Sequence, residues 1–137
     1  MGAQSVGVMT VVQNGKSAPS EYRMFKLRGE HKGNDLTALA EVLSRRMKHE
    51  EWPLPEMIVI DGGPLQYDAA ETALGDAALT IPLIGVVKNK QHKAARLIGP
   101  EALAKRFKKE ILLSNSEAHR FAIGFHRKRR GKEFLEA

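Results

Sequence analysis

The sequence predicts a mixed α/β fold in which an amino-terminal β-hairpin and parallel strands form one mixed sheet flanked by helices. Three observations carry that class. Asn14-Gly15 separates two strand-like arms, and this dipeptide supplies both positive-φ positions of a type I′ turn. Met57-Ile58-Val59-Ile60 is an uninterrupted apolar run closing on Asp61-Gly62-Gly63, the pattern of a strand buried on both faces. A helical stretch and a second apolar run over residues 82–87 follow, and strand, helix, strand at this spacing is normally a right-handed parallel crossover. The chain has 137 residues, enough for one hydrophobic core and too few for two, so residues 1–137 are read as a single domain.

The first arm of the hairpin, residues 5–12, is rich in β-branched side chains. Its second arm spans 21–28, where Tyr22, Met24 and Lys26 alternate with Arg23, Phe25 and Leu27 in the two-residue period of a strand with unlike faces. Residues 30–33 break the pattern. From there Leu36, Leu39, Ala40, Leu43 and Met47 recur at helical spacing, with Asn34 or Asp35 as cap and Arg45, Arg46 and Lys48 opposing the dipole near the end. Pro53 and Pro55 close this helix, and the run 57–60 is expected as a central strand. Leu65, Ala69, Ala70 and Ala73 mark the crossover helix. Residues 95–98 read as one more short strand and 101–113 as partly helical. Ser114 and Glu117 stand at capping-box spacing, which would start the last helix there, with Ala118, Phe121, Ala122 and Phe125 on one face and His119 and His126 beside it.

The net charge of +6 is unevenly placed. Residues 1–104 hold twelve basic and twelve acidic side chains, whereas residues 105–132 hold ten basic against two acidic. A segment this basic, ending in Arg127, Lys128, Arg129, Arg130 and Lys132, attracts a polyanion through counterion release, and nucleic acid is the first candidate. The plainer alternative is a solvated helix end whose cations oppose the dipole. With no cysteine, disulfides, zinc knuckles, iron-sulfur clusters and thiol nucleophiles are excluded. No apolar run approaches the roughly 18 residues of a membrane helix and no signal-peptide pattern opens the chain, so a soluble, cytoplasmic protein with no membrane association is expected.

Chemistry must therefore use Asp, Glu, His, Ser or Lys. Asp61, at the carboxyl end of its strand and before two glycines, stands where open α/β sheets bind ligands. It is a candidate metal ligand, although Asp before Gly-Gly more often opens a turn and caps the next helix. Asp35 is equally well read as a cap. His119 has the right intrinsic pKa to exchange a proton near neutrality, while a lone helical His is usually structural. Two acids, a histidine and a basic helix fit phosphodiester hydrolysis with Mg²⁺ or Mn²⁺. Gly62-Gly63 without a following Lys-Ser or Lys-Thr is not a phosphate-binding loop.

At these same residues the sequence resembles the carboxy-terminal endonuclease domain of UvrC, the incising component of the excinuclease in bacterial nucleotide excision repair. Ser20-Glu21-Tyr22-Arg23-Met24-Phe25-Lys26, Glu41-Val42-Leu43-Ser44-Arg45-Arg46, Ile60-Asp61-Gly62-Gly63 with Gln66, Ile81-Pro82-Leu83-Ile84-Gly85 and Glu117-Ala118-His119-Arg120-Phe121-Ala122-Ile123 carry the likeness. It implies a ribonuclease H-like fold and metal-dependent incision of damaged DNA on the 5′ side of a lesion, in a complex with UvrB and indirectly with UvrA. It implies catalytic roles for Asp61, Asp35 and His119, with Asp61 and Asp35 on the metal. On charge alone, Arg127, Lys128, Arg129 and Arg130 are expected to bind phosphates, joined by Arg120 of the family motif. The family's first catalytic aspartate lies in a Phe-Asp-x-Ser-His motif upstream of the position matched by Gly2. The first strand of the fold is therefore expected to be absent from this chain. Pro64-Leu65 also stands where the family usually has Lys-Gly. A second expectation follows, a catalytically incomplete remnant that binds nucleic acid or a repair partner. A structural interaction module is the weakest third, since it leaves Asp61 unexplained.

Overall fold

A computed structural model describes residues 6–28, 34–77 and 79–136, with side chains as far as Gly124. The expected hairpin is present but interrupted. Strand β1 (Val6–Met9) pairs antiparallel with β4 (Arg23–Lys26), while β2 (Val12–Gln13) and β3 (Lys16–Ser17) form a separate tip. Asn14 and Gly15 take φ of 52° and 77° at that tip, as a type I′ turn requires. The second arm begins at Arg23 rather than residue 21, because Pro19–Glu21 forms a 3₁₀ turn and proline has no N–H for a ladder. The expected alternation holds from Met24 on, with Phe25 and Leu27 buried and Met24 exposed, but fails at Tyr22, which is buried where its ring meets Phe121 of the last helix.

Helix α1 (Asp35–Met47) is capped by Asn34, whose Oδ1 accepts from the N–H groups of Leu36 and Thr37 at 3.1 and 3.3 Å. This settles the cap on Asn34 and leaves Asp35 as the first helical residue. Strand β5 (Ile58–Asp61) runs parallel to β6 (Leu83–Lys88), joined through α2 (Pro64–Asp76), and β7 (Ala94–Ile98) pairs antiparallel with β6. The central place in this sheet thus belongs to β6, not β5 as expected from the apolar run. The burial pattern agrees, for Leu83, Ile84, Gly85 and Val86 are all buried whereas only Ile60 is buried in β5.

Among the described residues the hairpin and the β5-β6-β7 sheet share no ladder, and β1 and β5 each keep one edge without a strand partner. Helices cover the sheet on two faces. One face packs Ile60 and Leu83 against Leu43, Ala70 and Leu74 of α1 and α2. The other packs Ile84 and Val86 against Ile111. The latter residue belongs to α4 (Lys108–Glu136), which follows the short α3 (Glu101–Arg106) after a break at Phe107. The capping box expected at Ser114 is not formed, because α4 already runs through it. Ser114 Oγ donates instead to the carbonyl of Ile111 at 2.9 Å, the back-bonding habit of a mid-helix serine. No helix among the described residues is long and apolar enough to cross a membrane.

Candidate active site

The register of the parallel pair sets the site. Asp61, the last residue of β5, lies opposite Val86, so their side chains share a face, and Lys88 returns to that face two residues on. Lys88 Nζ stands 3.1 Å from Asp61 Oδ1. From α4, Asn115 Nδ2 donates to the same oxygen at 3.3 Å. Asn115 is itself buried, at 9% exposure, and this bond is how its amide is satisfied. The Asp61 side chain is 60% exposed while that of Lys88 is 21% exposed, so the carboxylate is held from one side and open on the other. An ion pair this accessible contributes about 0–1 kcal/mol. Its consequence is orientation.

Asp61 does not cap α2, contrary to the plainer reading of Asp-Gly-Gly. Gly63 is the cap residue, and its N–H is taken by Gln66 Oε1 at 3.0 Å. Gly62 has φ of 154° and donates to Val86 O at 3.0 Å, extending the ladder one residue past Asp61. A Cβ there would come within 2.6 Å of the Gln66 side chain. The glycine therefore turns the chain without disturbing the carboxylate.

His119 is one helical turn beyond Asn115 on α4, hence on the same side of the helix. It is exposed. Asp35 is also exposed, and its side chain makes no hydrogen bond or ion pair among the described residues. Thus Asn115 relates Asp61 to His119, whereas no contact joins Asp35 to either. Arg120 is engaged by Glu117, to which its Nε and Nη2 donate at 2.6 and 2.8 Å. The side chains of Arg127, Lys128, Arg129, Arg130, Phe125 and His126 lie outside the described residues. Lys88 and Asn115 were not anticipated from sequence. Lys88 was legible as the polar end of an apolar strand parallel to that of Asp61, but Asn115 was hidden by the apparent capping box.

A neighbouring cluster ties the hairpin to α4. Tyr22 Oη donates to Glu117 Oε1 at 2.8 Å, its ring lies 5.3 Å from that of Phe121, and Thr10 Oγ1 donates to Ser114 O at 2.9 Å. Hydrogen bonds from Arg120 first and Tyr22 second hold the Glu117 carboxyl down to about 2. Because its folded pKa lies below the unfolded one, this stabilisation is complete above the ordinary value of 4.5 and is lost as pH falls toward 2. Tyr22→Phe is expected to cost about 1 kcal/mol at pH 7, and Glu117→Gln to flatten the acid limb of stability. Urea melts at several pH values between neutrality and pH 2 check both, and an unchanged acid limb in Glu117→Gln would refute the assignment.

The described residues do not by themselves make a divalent-cation site. Asp61 has one oxygen free and open, but no three His, Cys, Asp or Glu gather among the described residues. The nearest positive charge is the Lys88 ammonium.

Comparison with known proteins places this geometry. The model of the UvrC RNase H endonuclease domain matches residues 1–123. The chain belongs to that family. It is 38% identical over 143 aligned residues to UvrABC system protein C of Caldicellulosiruptor saccharolyticus, covering 99% of this chain and 24% of that relative. It is 36% identical to the protein of the same name from Methanococcoides burtonii, covering 94% and 23%. Against that from Limosilactobacillus fermentum it is 39% identical, covering 99% and 24%. The chain thus spans about a quarter of the length of these relatives. The mixed α/β architecture agrees with a UvrC-type ribonuclease H-like domain, and the matched residues take in Asp35, Asp61 and His119. The basic cluster 127–130 lies beyond them.

Proposed function

We propose that this UvrC-type domain hydrolyses DNA phosphodiesters as the part of a UvrABC repair system that cuts on the 5′ side of a lesion. In this reading the reaction requires Mg²⁺ or Mn²⁺ and proceeds on damaged DNA in a complex with UvrB, with UvrA acting indirectly. The observation that carries it is the fixed Asp61 carboxylate. Lys88 and Asn115 hold one of its oxygens, the rest of the group faces outward, and His119 stands one α4 turn away, in a family of endonuclease domains. A carboxylate so oriented meets the general requirement for placing charge at a reacting phosphate. His119, exposed on α4, is assigned to the attacking water or the departing oxygen. Asp35 is assigned as a further acidic contributor on family grounds.

One observation favours a second reading, in which the domain is a catalytically incomplete module that binds nucleic acid or a repair partner. The edges of β1 and β5 lack a strand partner among the described residues, and Asp61 belongs to no group of three or more His, Cys, Asp or Glu among them. The two readings part in a nicking assay on supercoiled DNA in Mg²⁺, in Mn²⁺ and in EDTA. Metal-dependent nicking by the full chain is expected. DNA binding with no nicking in either metal would support the second reading and overturn the first for this chain.

A further inference from the structure

The tip joining β6 to β7, residues 89–93, is braced by four hydrogen bonds of its own. Asn89 Oδ1 accepts from the N–H groups of Gln91 and Lys93 at 2.9 and 3.0 Å. The Asn89 N–H donates to Lys93 O at 2.8 Å, and its carbonyl accepts from the His92 N–H at 2.9 Å. His92 takes a left-handed φ of 61° to close it. Lys90, Gln91, His92 and Lys93 are all exposed on this frame.

The charge of this segment is one-sided. Residues 77–100 contain Lys88, Lys90, Lys93 and Arg96 and no Asp or Glu. Lys88 is paired with Asp61, whereas Lys90, Lys93 and Arg96 have no ion pair among the described residues. Cations on an edge strand often serve only to prevent strand-to-strand association. That account covers Arg96, which lies opposite Val87 on the edge strand β7. It does not cover two lysines carried past the end of the ladder on a fixed turn. Their position relative to the site is set by β6 itself. Val86 is level with Asp61, β6 continues two residues to Lys88, about 7 Å at the rise of a strand, and Lys90 follows in the turn beyond it. That rise is roughly two nucleotide steps along one strand of a duplex.

We propose that the β6–β7 tip is a docking surface for the phosphate backbone of DNA, contacted by Lys90 and Lys93, which aligns the strand whose phosphodiester lies at Asp61. The inference rests on the nuclease reading only for the identity of the polyanion. It places a backbone contact on the element that already carries Lys88. Contacts of this kind set position and orientation and read no base.

The test separates binding from cutting. Fluorescence anisotropy with a labelled DNA duplex in EDTA, across about 50–200 mM salt, compares the full chain with Lys90→Ala/Lys93→Ala and with Lys90→Arg/Lys93→Arg, each confirmed folded by circular dichroism. The alanine pair is expected to weaken binding about tenfold at low salt and to reduce the slope of log affinity on log salt by about 2, and the arginine pair to retain both. Parental affinity and slope in the alanine pair would overturn the inference while leaving the nuclease reading standing. Loss of binding in the alanine pair, with a parent that nicks nothing, would sustain the surface and sink the nuclease reading. A parent that binds no DNA would sink both.

Discussion

Asp61→Asn is expected to lower metal-dependent nicking of supercoiled DNA by about 100-fold or more, beyond the 10- to 100-fold typical of groups that only support a site, while DNA affinity stays level or rises. Asparagine keeps the shape of the side chain, and its Oδ1 still accepts from Asn115, so the fold around β5 is preserved. What disappears is the negative charge that is held by Lys88 at 3.1 Å and faces outward. If, as proposed, this surface meets phosphates, removing an anion from it relieves repulsion and binding should not fall. Lys88→Met is the companion variant. It leaves the carboxylate in place without its cation, and should lower activity less than Asp61→Asn if Lys88 orients rather than reacts. Nicking by Asp61→Asn at the parental rate would remove Asp61 from the chemistry.

Much of this was legible in sequence because the decisive signals were local. Asn14-Gly15 can form few turns other than the one it forms, Asn34 caps α1 by its own side chain, and the run into Asp61-Gly62-Gly63 ends where the strand ends. Errors arose where a local signal competed with tertiary packing. Ser114 and Glu117 have capping-box spacing, yet Ile111, at 1% exposure against Ile84 and Val86, holds the helix continuous through them. Glu117 is then free to take Tyr22 and Arg120 as partners. The apolar run 57–60 likewise looked central because nothing in a single segment reveals which neighbours it will find. β6 took the middle place, having a partner on each side. Asn115 could not be read at all, since its role depends on a contact with Asp61 across 54 positions of sequence.

Ile111→Ala is expected to cost about 2–5 kcal/mol, the range for deleting a fully buried aliphatic side chain, against a total stability of about 5–15 kcal/mol for ordinary domains. The loss should exceed that of a typical core change in its consequences, because of what α4 joins. Among the described residues the hairpin and the β5-β6-β7 sheet share no ladder, and α4 bonds to both: through Thr10 and Tyr22 to the hairpin, through Asn115 to Asp61. Ile111 sits one turn before Asn115 and, among the described residues, is the only one of α4 in the fully buried part of that core. Loosening it releases Asn115 and His119 together with the hairpin. Thermal melts should therefore show a large fall in midpoint for Ile111→Ala and a small one for Ile111→Val, about 0.5–1.5 kcal/mol. Hydrogen exchange should quicken in β1 and β4 as well as in α4. Faster exchange confined to α4, with the hairpin unaffected, would show that the two sheets are held together by α1 instead, through the packing of Val42 on Gly7.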